Sequence, residues 1–145
     1  MATLMKILVA IDGSPAAQRT LETLVQRLTW FREKPAITLL YVQPPLPHGA
    51  AASWVGREQV QRFYDDESDQ ALAGARTFLD GNAIPYTAEK KVGDPAHEIV
   101  SHAAANGFDL IVMGTHGHTA LANLVMGSVA TKVLAATRIP VMIVR

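Results

Sequence analysis

Short apolar runs and longer helical segments alternate strictly along this chain, and this alternation constrains the fold more than any other feature. Continuous runs rich in β-branched residues occupy residues 6–11, 36–42 and 110–114. They show no period-2 alternation, which is typical of strands buried on both faces. A more polar run at residues 86–92 predicts a peripheral strand, and residues 140–144 predict a terminal strand that begins with proline.

The first and third helical segments carry the clearest start signals, because a polar residue that can cap a helix precedes a proline. These pairs are Ser14-Pro15 and Asp94-Pro95, and proline is well tolerated at the first helical position. Apolar residues at helical spacing extend the first helix to about Leu28. The third helix is expected to cover residues 96–106.

The second and fourth helical segments complete the alternation. Residues 57–81 predict a long helix that turns the charged run at residues 65–69 toward solvent. Ser128 is predicted to cap the last helix, which runs to about Thr137. The order β-α-β-α-β-α-β-α-β predicts one domain over residues 1–145, an open doubly wound parallel sheet with helices on both faces, Rossmann-like in architecture.

Two loops are candidates for a ligand site in such a sheet. Ligands bind beyond the carboxyl ends of the strands, where the direction of the chain across the sheet reverses. Residues 12–14 follow the first strand, and residues 114–128 follow the fourth. The Pro-, Ala- and Gly-rich loop at residues 43–56 is either a lid or an irregular connection.

The composition narrows the function classes. Lys plus Arg and Asp plus Glu number thirteen each in 145 residues, so no overall charge attracts nucleic acid or an anionic membrane. There is no Cys, which excludes disulfides and a thiolate nucleophile. The apolar runs are too short to span a membrane. We therefore expect a soluble, cytoplasmic protein with neither nucleic acid nor membrane as a partner.

The stretch GTHGHTALANLVMGS, residues 114–128, carries the pattern Gly-x-x-Gly-x9-Gly-Ser. Its glycines either mark turns or bring backbone N–H groups close to an anion. No acidic residue follows Asp109, and the helix that begins near Ser128 has a partial positive charge at its N-terminus. The apolar residues at positions 121, 124 and 125 have helical spacing and predict a short turn between Gly117 and Gly127.

This spacing resembles the nucleotide-binding signature of the ATP-binding branch of the universal stress protein family. The segments ILVAIDGS, VGDPAHEIV, DLIVMGTHG and GSVATKVL are also similar to the family, over nearly the whole chain. The resemblance implies a sheet in the order 3-2-1-4-5, a homodimer, and ATP, with or without Mg²⁺, across the strand ends. The apolar strand at residues 141–144 would form an exposed edge, and it is predicted to pair across the dimer.

The resemblance also assigns binding residues one position at a time. It places Ala10 and Asp12 beside the ribose and adenine, and the backbone of Val42 at the adenine. The residues it implies around the phosphates are Gly114, Thr115, His116, Gly117, His118, Thr119, Gly127, Ser128 and Val129. Family members often have Arg or Lys at the position of His118 and glycine at that of Ala120. For Asp12, an Asx turn into the first helix is the alternative role.

Other functions remain open on the sequence alone. His116 and His118 are a possible metal pair, but no third ligand lies nearby in the sequence. The chain lacks the phosphate loop and the dinucleotide fingerprint. Binding is favoured over catalysis because phosphoryl transfer needs a positioned nucleophile and charge stabilisation, for which only Asp12 and Ser128 are evident. The alternatives are a slow ATPase or phosphotransferase, and an interaction module that binds no nucleotide.

Overall fold

The computed structural model describes residues 4–47, 56–117 and 126–145, and their strands form a five-stranded parallel sheet. The strands are β1 (Lys6–Ala10), β2 (Ala36–Gln43), β3 (Tyr86–Val92), β4 (Leu110–Gly114) and β5 (Val141–Val144). Their order across the sheet is β3-β2-β1-β4-β5. The doubly wound fold and the implied strand order are therefore confirmed.

Within the described ranges, four α-helices connect the strands. They are α1 (Pro15–Gln26), α2 (Arg57–Gly81), α3 (Pro95–Ala105) and α4 (Ser128–Ala136). The first helix ends earlier than its apolar pattern predicts, and a 3₁₀ turn, Leu28–Trp30, follows it. Leu28 still packs against the core, which explains why the pattern continues beyond the helix.

The predicted caps are confirmed at the first two sites and wrong at the third. Ser14 Oγ accepts a hydrogen bond from the Ala17 amide at 3.1 Å, and Asp94 Oδ2 accepts one from the His97 amide at 3.0 Å. In α4 the N-cap is Gly127, so Ser128 is the first helical residue. A glycine is also acceptable as an N-cap, because it adopts the extended backbone that this position needs.

Helices cover both faces of the sheet, as the alternation predicts. On one face α1 and α2 bury side chains against β1 and β2, including Leu21, Leu24, Leu72 and Leu79. On the other face α3 and α4 contribute Ile99, Ala103, Ala130 and Val133. Ile7, Leu8 and Val9 are fully buried, which confirms that β1 is a central strand.

The strand β3 is the polar edge that its sequence predicts. Half-buried and exposed residues alternate along it except at Glu89 and Lys90, which are both exposed, and among the described strands it pairs with β2 alone. The charged run on α2 needs one correction, because Ser68 is buried rather than outward-facing and donates to the Tyr64 carbonyl at 2.7 Å. This bond satisfies the hydroxyl within the helix, so that a small polar residue fits beside the core.

Candidate functional site

The site lies at the carboxyl ends of β1 and β4, which are neighbours in the sheet. From β1 the chain passes to β2 on one side, whereas β4 and β5 lie on the other. The connections therefore diverge between β1 and β4, and this divergence opens a crevice at the topological switch point of an α/β sheet. Residues 12–14 and 115–117 follow the two strands directly and form its walls.

Asp12 builds the first wall through a local turn. Its Oδ1 accepts hydrogen bonds from the Ser14 amide at 2.9 Å and from the Ser14 hydroxyl, which itself accepts from Ala17. This is the Asx turn considered as the alternative for Asp12. The turn holds one carboxylate oxygen, and the other, Oδ2, points toward the loop after β4.

Gly117 allows this loop to approach Asp12 closely. A Cβ atom at position 117 would lie 2.5 Å from Asp12 Oδ2, too short for an ordinary contact. Gly114 is similar, because a Cβ atom there would lie 3.0 Å from Thr20 Oγ1. Neither glycine has a positive φ. Both positions therefore favour glycine because a side chain of the protein lies very close to the backbone there.

Gly127 joins α4 to the same loop. The Gly127 amide donates to the Thr115 carbonyl at 2.6 Å, and a Cβ atom on Gly127 would lie 3.3 Å from that oxygen. The first amides of a helix have no partner within the helix. The N-terminus of α4 at Ser128 is thus fixed beside Thr115 and His116, as the glycine spacing predicts.

The electrostatics of the crevice are mixed. The segment after Asp109 has only cationic charged side chains, but the fold brings the carboxylate of Asp12 against it. His116 Nδ1 lies 3.1 Å from Thr115 Oγ1. Backbone amides and the positive end of α4 would therefore attract an anion in the crevice, and the carboxylate of Asp12 would repel it.

Three of the predicted binding residues contribute to one apolar surface, which we call the apolar wall of the site. Ala10, Val42 and Val129 all belong to or pack against the hydrophobic cluster under α3 and α4. Met126, which the sequence motifs do not identify, packs against the same cluster. Its position directly before Gly127 is the sequence signal that could have revealed it.

On the side of Asp12, the structure adds two residues that the sequence did not reveal, Tyr41 and Glu67. Burial raises the pKa of the Tyr41 hydroxyl, and the nearby carboxylates of Glu67 and Asp12 raise it further. Tyr41 donates a hydrogen bond to Gln43 Oε1. Tyr41 therefore remains a neutral donor beside Asp12, and Glu67 of α2 adds a second negative charge on this side of the site.

Some predictions concern residues outside the described ranges. His118, Thr119 and Ala120 lie there, as do the predicted turn at residues 121–125 and residues 48–55 of the long loop. The suggested metal pair includes His118 and is therefore not described. Among residues 4–47, 56–117 and 126–145, no three His, Cys, Asp or Glu side chains form a group that could hold a metal ion. No helix in these ranges is long and apolar enough to cross a membrane.

The strand order and the crevice at the switch point define an open α/β domain of the doubly wound class. The family model for the universal stress protein family matches residues 3–145, and the chain belongs to this family. The universal stress protein YxiE of Bacillus subtilis is 32% identical over 148 residues, which cover 97% of this chain and 98% of the relative.

Solved structures have the same architecture. The universal stress protein UspA from Lactobacillus plantarum has a TM-score of 0.81 and 26% identity, with full coverage of both chains. The universal stress protein from Archaeoglobus fulgidus in complex with dAMP has a TM-score of 0.67 and 20% identity, again over both whole chains. A family member from Arabidopsis thaliana, solved with AMP bound, has a TM-score of 0.68 and 20% identity over 97% of this chain and 90% of its own.

Proposed function

We propose that this protein is a homodimeric, ATP-binding regulator of a stress response that acts in the cytoplasm as a single nucleotide-binding domain. The observation that carries the proposal is the convergence of three segments at one crevice: the Asp12 turn, the loop at Gly117 and the N-terminus of α4. Backbone amides at a helix N-terminus suit phosphate groups. Relatives solved with AMP and dAMP support an adenine nucleotide as the ligand.

The nucleotide would lie across the carboxyl ends of the strands. Its adenine would contact the apolar wall of Ala10, Val42 and Val129, and its ribose would face Asp12. The phosphates would lie along the loop at residues 114–119 and at Gly127 and Ser128. Asp12 Oδ2 already faces this loop, so any accompanying Mg²⁺ would lower the repulsion between this carboxylate and the phosphates.

The site favours nucleotide binding without efficient catalysis. Asp12 Oδ1 is already engaged in the Asx turn, and the raised pKa of Tyr41 keeps its hydroxyl neutral, so Tyr41 is not a ready base. A general base has to accept a proton near neutral pH. We therefore propose a nucleotide-dependent change of shape or of partner surface as the output, with slow ATP hydrolysis as the alternative.

The deciding experiment identifies the nucleotide and then measures its binding. Purified protein is denatured and any released nucleotide is identified by mass spectrometry. The stripped protein is then titrated calorimetrically with ATP, ADP and AMP, with and without Mg²⁺. Saturable binding of ATP in preference to AMP supports the proposal. Binding of AMP alone would remove ATP as the ligand, and absence of any binding would favour the nucleotide-free interaction module.

A further inference from the structure

A second cavity lies at the opposite ends of the strands, under the amino termini of β1, β2 and β3. It has a volume of about 700 Å³, within the range of small-molecule sites. The residues after α1, the turn before β3 and the end of α3 line it, and it is partly open to solvent. None of the residues proposed to bind ATP lines this cavity, so it is a separate site.

The walls of this amino-terminal cavity are mainly apolar. They include Leu28, Ile84 and Phe108, of which Phe108 is buried and the other two are half-buried. Apolar walls with a few well-placed polar groups are the usual construction of a site for a small organic ligand. The ligand would therefore have an apolar body.

The charges at the cavity favour an anion. Among the described residues, two ammonium groups line it, Lys6 and Lys34, against one carboxylate, Glu89. Lys6 is the first residue of β1, and Lys34 lies just before β2. Glu89 lies further along β3, opposite Leu40. The positive charges are thus nearer to the amino-terminal end of the cavity than the negative charge is.

Lys6 is held in place for this role. Its Nζ donates to the Asn106 carbonyl at the end of α3 and lies 4.5 Å from the centre of the Phe108 ring. An ammonium group has three N–H donors, so these two contacts orient it without using all of them. An ordered ammonium group loses little conformational freedom on binding a ligand.

From this arrangement we infer that the amino-terminal cavity binds a small organic carboxylate with an apolar chain or ring. The carboxylate pairs with Lys6 and Lys34, and the apolar body packs against Ile84 and Phe108. The site is independent of the proposed nucleotide site, at the other end of the same strands. Its ligand class follows from the combination of an apolar wall with two lysines that line the cavity, of which Lys6 is held by contacts of its ammonium group.

The test compares octanoate with octanol, which share an apolar chain and differ in charge. Binding is followed by two-dimensional NMR of ¹⁵N-labelled protein. We expect saturable shifts at Ile84 and Phe108, with octanoate bound several-fold more tightly than octanol. Lys6→Gln and Lys34→Gln each reduce that preference, and Ala36→Phe, which fills the cavity, abolishes the shifts. Lys132→Gln, exposed on α4 and outside the cavity, is the control.

The inference is overturned if octanoate and octanol bind equally, if neither binds, or if both Lys variants keep the full preference for octanoate. A change in the oligomeric state on Ala36→Phe, together with no octanoate binding, would instead assign this face to a second copy of the chain. ATP titrations of the same variants separate this inference from the proposed function, because Lys6→Gln is expected to leave ATP affinity unchanged.

Discussion

Gly117 is the residue at which the smallest change is expected to have the largest effect on ATP binding. A Cβ atom there would lie 2.5 Å from Asp12 Oδ2. Gly117→Val therefore displaces either the loop or the carboxylate and fills the space between backbone and phosphate. We expect at least about a tenfold loss of ATP affinity by calorimetry, equivalent to about 1.4 kcal/mol.

The fold should persist in Gly117→Val, because Gly117 is exposed and has no positive φ. The matched control is Gly81→Val at the end of α2, where a Cβ atom would meet nothing within 4 Å. Gly81→Val is expected to bind ATP like the parent. If ATP affinity of Gly117→Val equals that of the parent, the assignment of this loop to the phosphates is wrong.

His118 gives a prediction about pH that follows from the sequence and the resemblance. Histidine loses most of its charge between about pH 6 and pH 8, whereas arginine stays charged. If His118 faces the phosphates, ATP affinity weakens as the pH rises through this range. His118→Arg should flatten this dependence and tighten binding a few-fold at the upper end, a gain of about 0.5–1 kcal/mol that salt reduces.

Titrations at low salt across this pH range measure the effect. His116→Gln is measured alongside, because His116 lies two residues away and also carries an imidazole. An affinity that does not vary with pH, with His118→Arg binding no more tightly than the parent, would place His118 away from the phosphates.

At the scale of single elements, the two serines near helix starts are expected to differ in their contribution to stability. Ser14 caps α1 and also donates to Asp12, whereas Ser128 follows the N-cap, Gly127. Ser14→Ala should lower the free energy of unfolding by about 1–2 kcal/mol. Ser128→Ala should lower it by less than about 0.5 kcal/mol. Urea unfolding of both variants checks this, and equal losses would contradict the revised cap of α4.

The strand β5 is predicted to pair with its copy in the proposed homodimer. The Pro140 carbonyl accepts a hydrogen bond from the Ile111 amide of β4, and the Val144 carbonyl accepts one from the Thr115 amide just after β4. Peptide groups alternate in direction along a strand. The N–H and C=O groups of Ile143 therefore point away from β4, toward the free edge of β5. Ile143→Pro removes this outward donor and should give a monomer in sedimentation at micromolar concentration.

Ile143→Ala is the matched variant, because it removes the same side chain from the cluster under α3 and α4 but keeps the N–H group. We expect it to remain a dimer. Wild-type protein that sediments as a monomer would exclude pairing through β5, and so would a dimer that survives Ile143→Pro unchanged.

Most of the helices and strands could be predicted because the sequence patterns that mark them are local. Proline after a capping residue identified α1 and α3, and uninterrupted β-branched runs identified the buried strands. The end of α1 was not predictable in this way, since Leu28 reaches the core from a 3₁₀ turn as well as it would from a helix. Gly127 was not expected as the cap of α4 because serine is the more common N-cap.

The contacts across the candidate site could not be predicted from local patterns. Asp12 and Gly117 are far apart in the sequence, and only the pairing of β1 with β4 brings them together. Glu67 was interpreted as part of a solvated charge run, yet it lies close enough to Tyr41 to raise the pKa of its hydroxyl. The general location of the site followed from the topology, whereas the partners of each side chain required the structure.

For the whole molecule, His102 makes a small contribution to the pH dependence of stability. Burial lowers its pKa from the ordinary 6.5; Lys91 and Lys6 act in the same direction, and Glu89 and Glu98 oppose them. Below 6.5 the unfolded chain therefore takes up the proton more readily than the folded protein. Stability should fall as the pH falls from 6.5 through the lowered pKa, and should not depend on this group above it.

Thermal unfolding of the parent and of His102→Gln at several pH values isolates this contribution. The midpoint of the variant should vary less with pH on the acid side than that of the parent. An identical dependence in both proteins would show that His102 titrates alike in the folded and unfolded states.

The two edges of the sheet differ, and this limits how the molecule can assemble. The edge strand β3 is charged, and Lys90 forms an ion pair with Asp69 of α2 at 2.6 Å. Charged side chains discourage a further strand from pairing. If β5 pairs with its copy, the remaining edges of the dimer are both β3. Assembly should then stop at two chains rather than continue as a filament.

The strand order also has a consequence for the chain during its synthesis. The strand β1 is made first but lies at the centre of the sheet, and the Lys6 amide bonds to Asp109, 103 residues later. At about 5–20 residues per second, that partner is made about 5–20 s after β1. Throughout this interval one edge of a strand whose central residues, Ile7, Leu8 and Val9, are all apolar has no neighbour on the ribosome. The nascent chain is therefore expected to depend on chaperones until β4 emerges, although the finished protein does not.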